Sequence, residues 1–299
     1  ANKSLGQNFL VDDNVIDEII HSSNIDKQDL IIEIGPGLGV LTNRLLKEAN
    51  NVIAVELDKR MVNILQDRFI LNINDQAESK LEIINEDILK INLNEIIAEK
   101  RKQTEIKGVK IVANLPYYIS TPIIMKLLEN RLDIDEIIVM VQKEVAERLT
   151  AKTGTRLAGA ITYAVEYYSD ATSIIKVPKE SFVPSPKVES EVIKLKVRKG
   201  KKIQVKDEKL LFNIISKSFM QRRKTLSNVL INNNIMHSKE DVKNMWKELE
   251  IDENVKLAEE YEVMVVPTLL FIKDGKIIHR ESGFFSKDKF KSLIDAYLK

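Results

Sequence analysis

A glycine-rich loop is the first segment of the sequence whose residue types and spacing point to chemistry. Residues Glu33–Gly39 read Glu-Ile-Gly-Pro-Gly-Leu-Gly, between a strand-like run and a helix-like one. Glycine permits positive φ and close approach of a ligand to the backbone. Dinucleotide loops have G-x-G-x-x-G spacing and hold a pyrophosphate, whereas this loop has G-x-G-x-G spacing and begins with an acid. Because an acid would repel a pyrophosphate, the loop favours a ligand that carries an ammonium and a sulfonium.

Two further acids follow the next two strand-like runs. The second run ends at Glu56, which is placed to bind both hydroxyls of a ribose, and Asp87 follows the third run. Asp87 can accept a hydrogen bond from the exocyclic amine of an adenine. Ligands in parallel sheets bind at the carboxyl ends of the strands, so the loop and the two acids together predict a nucleotide pocket. The alternative is a set of tight turns with solvated acids.

The fourth strand-like run ends in Asn114-Leu115-Pro116-Tyr117. The N6 lone pair of adenine is delocalised into the ring, so this amine is a poor nucleophile. The Asn114 side-chain oxygen and the Leu115 carbonyl would accept its N–H bonds and aim the lone pair. Pro116 restricts the preceding residue, and Tyr117 offers a face on which an extruded base stacks. The tetrad therefore indicates catalysis by positioning and electrostatics, although a strand-ending Asn and a proline turn would explain any one of these residues.

Strand-like and helix-like segments alternate over the first 200 residues. Amphipathic stretches such as Lys59–Phe69 separate the early strands, and Thr121-Pro122 is predicted to cap and open a helix that runs to Leu128. This alternation predicts an α/β fold with a parallel sheet covered on both faces. The last two strands lie close together in sequence, so an antiparallel direction for one of them is left as an alternative. The strand-like runs are Leu30–Ile34, Val52–Glu56, Leu81–Asn85, Lys110–Ala113, Glu136–Val141, Thr172–Val177 and Glu191–Val197.

Composition bounds the function classes that remain. The chain has 299 residues, 46 Lys and Arg against 45 Asp and Glu, three scattered His and no Cys. Its length predicts about two domains. The lack of Cys excludes a disulfide framework, a thiol nucleophile and a Cys-ligated metal site. The first residues lack the apolar core of a signal peptide and no apolar run reaches the ~20 residues of a membrane span, so we expect a cytoplasmic protein.

Charge is segregated along the chain. Residues 176–224 carry a net charge of +10, and the remainder carries −9. This pattern favours a surface that faces a polyanion, although a solvated lysine-rich face explains it equally well. The lysine-rich stretch Arg198–Lys209 is interpreted as a linker. Beyond it, Leu210–Asn232 and Ser238–Leu249 are predicted to be helices.

Several segments across about residues 3–252 resemble the ribosomal small-subunit RNA adenine dimethyltransferase family. Besides the glycine loop and the tetrad, they are Leu5–Leu10, Met140–Arg148, Phe182–Ser190 and Gln221–Leu226. The erythromycin-resistance methyltransferases, which act on large-subunit RNA, share the core, but the first and last of these segments favour the small-subunit branch. The resemblance implies a Rossmann-like seven-stranded methyltransferase sheet and S-adenosylmethionine as cofactor. The implied reaction is dimethylation of N6 of two adjacent adenines near the 3′ end of small-subunit ribosomal RNA.

The resemblance also implies roles for single residues. Asn114 would contact both cofactor and target adenine, and Phe182 would stack on that adenine opposite Tyr117; a core aromatic between strands is the open alternative for Phe182. The implied catalytic residues are Asn114, Leu115, Pro116, Tyr117 and Phe182. The implied cofactor-binding residues are Gln7, Asn8, Leu10, Gly35, Gly37, Glu56, Leu57, Asp87, Ile88 and Asn114. The implied RNA-binding residues, which would hold phosphates, are Lys201, Lys202, Arg222, Arg223 and Lys224.

The tail, residues 253–299, resembles the C-terminal half of thioredoxin. Its expected elements are a helix at Asn254–Tyr261, strands at Thr268–Ile272 and Lys276–His279 around an Asp274-Gly275 turn, and a helix at Ser286–Leu298. The absence of Cys excludes a thiol-redox role. A lone hairpin and helix are marginally stable, so we expect the tail to dock on the helical region, to pair with another chain or to remain loosely ordered.

We therefore expect three parts. They are a catalytic S-adenosylmethionine-binding domain at 1–200, a small basic helical RNA-substrate domain at 201–252 and the thioredoxin-like fragment at 253–299. The expected partners are small-subunit ribosomal RNA and the immature small subunit, with a role in ribosome biogenesis and with neither membrane nor metal. A monomer is expected, and association through the tail stays open. Two alternatives are a non-catalytic ribosome-assembly or RNA-binding factor on this fold, and adenine-N6 methylation of large-subunit RNA or DNA.

Overall fold

The computed structural model of the chain describes residues 8–69, 80–200, 205–221, 224–248, 268–273 and 276–282, together with positions 292, 293 and 296. The chain divides into two units, residues 1–206 and residues 207–299. The division into three parts stays a prediction.

Nine strands are found in the described residues of the first unit. Seven of them form the central sheet: β2 (Leu30–Ile34), β3 (Asn51–Val55), β4 (Leu81–Ile84), β5 (Val109–Asn114), β6 (Glu136–Gln142), β7 (Ser169–Val177) and β9 (Ser190–Val197). Their order is β4-β3-β2-β5-β6-β9-β7. The short strands β1 (Phe9–Leu10) and β8 (Phe182–Val183) pair with each other antiparallel, with Leu10 opposite Phe182.

The central sheet is parallel from β4 to β6. Every residue of β2 is buried, as expected for a parallel strand covered on both faces. The predicted strands are all present, with ends shifted by a few residues, and the bounds of β2 are confirmed as predicted. The chain runs outward from β2 through β3 to β4 and then returns to the other side of β2 as β5. This reversal creates a topological switch point, where open α/β sheets bind ligands.

Of the last two strands, β9 is the one that runs antiparallel to the rest of the sheet. It lies between β6 and β7 and is antiparallel to both, with Ser190 opposite Gln142 on one side and Val177 on the other. Strand β9 is therefore hydrogen-bonded along both edges.

Seven helices of the first unit surround the sheet in the described ranges. They are α1 (Asp13–Ser23), α2 (Val40–Glu48), α3 (Lys59–Phe69), α4 (Leu93–Gln103), α5 (Ser120–Glu129), α6 (Lys143–Thr150) and α7 (Ala160–Tyr168). The bounds of α3 are confirmed as predicted. Leu45 of α2 and Leu65 of α3 pack with Ile31 of the sheet in one hydrophobic cluster.

The predicted start of α5 is wrong. A short 3₁₀ turn at Tyr117–Ile119 leads directly into the helix, which begins at Ser120. Thr121 is therefore inside the first turn and is not the N-cap. Pro122 is tolerated there because the first N–H groups of a helix have no partner within the helix.

Three helices of the second unit are described: α8 (Glu208–Met220), α9 (Leu226–Asn232) and α10 (Lys239–Glu248). The single helical stretch predicted at Leu210–Asn232 is wrong, because it is two helices. The Thr225 hydroxyl accepts a hydrogen bond from the Asn228 N–H at 3.4 Å, and this N-cap starts α9.

The predicted hairpin of the tail is present as β10 (Thr268–Lys273) and β11 (Lys276–Ser282), which pair antiparallel. Its turn at 274–275 and the predicted helix at 254–261 lie outside the described residues. The predicted helix at 286–298 is described only at positions 292, 293 and 296, which are helical. The thioredoxin resemblance stays a prediction.

Candidate functional site

A cavity opens where the central strands end, at the switch point between β2 and β5. The empty space in it is about 1190 Å³, and this figure includes solvent at its open mouth. The predicted site residues that line it are Asn8, Leu10, Gly35, Gly37, Glu56, Leu57, Asp87, Ile88, Asn114, Leu115, Pro116 and Tyr117. Gln7 lies outside the described residues.

The glycine loop needs glycine for two separate reasons. Gly35 and Gly37 have φ of +68° and +57°, a region that other residues enter only with strain. A Cβ added at Gly37 would also lie 3.2 Å from the ring of Phe9. The Gly35 N–H donates to the Val55 carbonyl at 2.9 Å, which fixes the loop to the end of β3.

Glu56 follows β3 and binds the loop from its other side. One carboxylate oxygen accepts the Gly37 N–H at 3.1 Å, and the other accepts the Asp58 N–H at 2.8 Å. Burial raises the pKa of Glu56, and these hydrogen bonds partly oppose the rise. A carboxylate has about four acceptor positions, so both oxygens keep capacity for ligand hydroxyls.

Glu33 is the most deeply buried acid in the cavity wall. It is 1% exposed, and the Thr42 hydroxyl donates to its carboxylate at 2.6 Å. The pKa of Glu33 is raised to about 8, because the effect of burial and of the neighbouring Glu56 outweighs the lowering by the hydrogen bonds of Thr42. At neutral pH Glu33 is therefore mostly uncharged when no cation lies beside it, so it repels a pyrophosphate less than a charged acid would.

Hydrogen bonds within the loop and from α5 hold the loop after β4 in place. The Leu89 N–H donates to the Asp87 carboxylate at 2.9 Å. From α5, the Lys126 ammonium donates to the carbonyls of Ile88 and Ile91, each at 2.9 Å. Lys126 thereby connects the loop that carries Asp87 to the helix that follows the Asn114–Tyr117 corner.

The Asn114–Tyr117 corner closes the cavity beside the N-terminal segment. The Asn114 side-chain nitrogen donates to the Asn8 carbonyl at 3.4 Å. Because the nitrogen is engaged, the amide oxygen is the atom that can accept an N–H from a substrate. The backbone of Leu115 is fixed by its N–H, which donates to the Met140 carbonyl at 3.2 Å.

Phe182 lies in the hydrophobic core of the first unit. Its ring is 2% exposed and belongs to the hydrophobic core, because β8 pairs with β1 over the core and turns Phe182 inward. Phe182 does not line the cavity described here. This arrangement agrees with the alternative of a core aromatic, and stacking of Phe182 on a base stays a prediction.

Of the implied RNA-binding residues, only Lys224 lies within the described part of the chain. It is exposed in the turn before α9. Lys201, Lys202, Arg222 and Arg223 lie outside it, and phosphate binding by all five stays a prediction.

The sequence analysis did not identify two residues at the corner, Tyr118 and Ser190. Tyr118 is 56% exposed and lines the cavity, and its position directly after the tetrad is the signal that could have found it. Ser190, the last residue of the Phe182–Ser190 segment, lies 2.5 Å through its Oγ from the Tyr117 Oη. No local pattern identifies that pair, because the two residues are 73 positions apart.

A mixed seven-stranded sheet with this order, its last strand antiparallel, and a glycine-lined cavity at the switch point define a Rossmann-like methyltransferase. A dimethyladenosine transferase from Plasmodium falciparum superposes with a TM-score of 0.64 at 27% identity, over 85% of this chain and 89% of that one. The 23S rRNA methyltransferase ErmE shares the fold, with a TM-score of 0.58 at 22% identity over 75% of this chain and 84% of its own.

The chain belongs to the ribosomal RNA adenine dimethylase family, whose sequence model matches residues 1–266. It is 43% identical over 252 residues to the ribosomal RNA small subunit methyltransferase A of Alkaliphilus metalliredigens, covering 84% of this chain and 85% of that one. The chain is accordingly a methyltransferase.

No helix among the described residues has the length and apolar character to cross a bilayer. Within the same residues, no group of three or more His, Asp or Glu is arranged to hold a metal ion.

Proposed function

We propose that this enzyme uses S-adenosylmethionine to dimethylate N6 of two adjacent adenines near the 3′ end of small-subunit ribosomal RNA, as a step in ribosome biogenesis in the cytoplasm. The observation that carries the proposal is the meeting of the glycine loop and the Asn114–Tyr117 corner at one cavity, in a chain of this family.

The residues around the cavity fit S-adenosylmethionine. Gly35 and Gly37 line the cavity, and because they have no side chain a ligand can approach the backbone closely there. Glu56 offers two carboxylate oxygens for ribose hydroxyls, Asp87 offers an acceptor for the adenine amine, and Glu33 offers a buried acid for a cationic group. When bound, S-adenosylmethionine supplies an electrophilic methyl group on a sulfonium sulfur.

The corner residues act on the target amine. The Asn114 side-chain oxygen and the Leu115 carbonyl accept its two N–H bonds and direct the nitrogen lone pair. Tyr117 stacks on the base. After the first methylation the amine keeps one N–H, so the second round proceeds with one of these two acceptors unoccupied.

RNA is held by phosphate contacts of the basic segment, including Lys201, Lys202 and Arg222–Lys224. We expect binding to weaken steeply as salt rises, which filter binding measures. An affinity that does not change with salt would remove this part of the proposal. A looped RNA segment suits the cavity, because unpaired bases are splayed out at lower cost than bases in a duplex.

The test is transfer of labelled methyl groups to immature small subunits, naked small-subunit RNA and large subunits, side by side. We expect label in the RNA of the small subunit. Label in the large subunit would instead favour modification of large-subunit RNA. Tight binding to small subunits without any transfer would favour a non-catalytic assembly factor.

A further inference from the structure

Ser190 occupies a rigid place directly behind the reacting corner. Its side chain is fully buried, with 0% exposure. It is the first residue of β9 and is paired in register with Gln142 of β6 and Val177 of β7. Backbone held on both sides has little freedom to shift, so the Ser190 hydroxyl is a fixed point in the sheet.

The hydroxyl of Tyr117 is hydrogen-bonded to the hydroxyl of Ser190. Tyr117 lies in the 3₁₀ turn between β5 and α5, and its hydroxyl is 2.5 Å from the Ser190 hydroxyl. Burial raises the pKa of Tyr117, so the phenol stays protonated and keeps its hydrogen. The ring is thus held at its two ends, by the turn at Cβ and by Ser190 at Oη. In contrast, the next residue, Tyr118, is largely exposed.

We propose that Ser190 is a positioning residue for methyl transfer: it anchors the Tyr117 hydroxyl and so sets the plane in which the Tyr117 ring meets the target adenine. This inference rests on the proposed function, because it needs an adenine at the corner. Ser190 is the last residue of the Phe182–Ser190 segment, so this proposal gives the end of that segment a function. The start of the segment, Phe182–Val183, pairs with strand β1 beside the cavity.

A matched pair of variants tests the proposal. Ser190→Ala removes the anchor, and Ser169→Ala is the control. Ser169 is 1% exposed, is the first residue of β7, and donates its hydroxyl to the Val165 carbonyl of α7 at 3.0 Å. We expect Ser190→Ala to lower kcat about tenfold, which corresponds to about 1.4 kcal/mol, with the Kd of S-adenosylmethionine unchanged. Ser169→Ala should keep kcat.

The double variant separates positioning from general loss of stability. Tyr117→Phe removes the same hydrogen bond from the other side and keeps the ring. If Ser190 acts through Tyr117, then Ser190→Ala adds no further loss to Tyr117→Phe. Additive losses, an unchanged kcat in Ser190→Ala, or an equal loss in Ser169→Ala would each overturn the proposal.

A measurement on the protein without RNA distinguishes failure of this inference from failure of the proposed function. In NMR spectra of ¹³C-tyrosine-labelled protein, the Tyr117 ring signals are assigned by their loss in Tyr117→Phe. We expect Ser190→Ala to shift or broaden those signals and Ser169→Ala to leave them in place. Unmoved signals would overturn the anchoring even if the wild-type enzyme methylates RNA, whereas shifted signals support it even if the proposed RNA is the wrong substrate.

Discussion

Binding of S-adenosylmethionine is expected to release a proton from Glu33. Glu33 lines the cavity and is held at 1% exposure beside Thr42, and burial raises its pKa to about 8. A cationic ligand placed next to this carboxyl group favours the charged form and lowers its pKa. The carboxyl group that is mostly protonated in the empty cavity then ionises when the ligand binds.

The magnitude follows from the pKa. For a group with a pKa of about 8, roughly nine-tenths is protonated at pH 7, so binding releases up to about 0.9 proton. The sign follows as well: the charged form that suits a cation is scarce below pH 8, so affinity rises with pH. We expect Kd to fall by up to about tenfold per pH unit between pH 6 and pH 7.5, and to level off above pH 8.

Isothermal titration calorimetry at pH 7, in two buffers with different ionisation enthalpies, counts the released protons. Glu33→Gln keeps the shape of the side chain and should abolish the release and flatten the pH dependence. Glu129→Gln is the control, because partial burial raises the pKa of Glu129 but this residue does not line the cavity. Proton release that persists in Glu33→Gln, or no release by the wild type, would show that Glu33 is not the group that ionises.

Three further predictions concern Asn114, Gly39 and Tyr118. Asn114→Ala should retain RNA affinity in filter binding while turnover falls by at least about 100-fold; equal turnover would reject the assigned role. Gly39→Ala should lower the free energy of unfolding by about 2–4 kcal/mol, because φ is +76° and the new Cβ would lie 2.5 Å from the Phe69 ring. Gly154→Ala is the control, because Gly154 has a φ of +79° but open space around it. In denaturant titrations its free energy of unfolding should fall by only about 1 kcal/mol, from backbone strain alone. Equal losses in the two variants would show that the contact with Phe69 is not the cause. Tyr118→Ala should raise KM for RNA about tenfold, by loss of stacking worth roughly 1–3 kcal/mol, and Tyr118→Phe should not; an unchanged KM in Tyr118→Ala would count against that contact.

The elements that the sequence predicts best are those with a strong local pattern. Four of the five residues of β2 are apolar, and this short apolar run predicts a buried strand at Leu30–Ile34. Helix α3 has apolar residues at helical spacing. The start of α5 could not be predicted in this way. Thr121-Pro122 has the residue types of a helix start, but a 3₁₀ turn upstream already begins the helical path.

Much of the site follows from strand ends, since parallel strands place their carboxyl ends at one edge. Glu56, Asp87 and Asn114 meet at the cavity for that reason. The burial of Phe182 and the bond between Ser190 and Tyr117 depend instead on pairings between distant segments. Neither the β1–β8 pair nor the insertion of β9 between β6 and β7 has a local signal strong enough to set side-chain direction.

The most direct measurement is mass spectrometry of the RNA, in which ribonuclease fragments locate the modified positions and nucleosides released from the same fragments identify the modified base. Small subunits that lack the modification are incubated with the enzyme and S-adenosylmethionine that carries a deuterated methyl group, and their RNA is then digested. We expect N6,N6-dimethyladenosine with two labelled methyl groups at two adjacent positions near the 3′ end, and none with Asn114→Ala. Label on another base, on another atom of adenine, or equally with Asn114→Ala would contradict the proposed function.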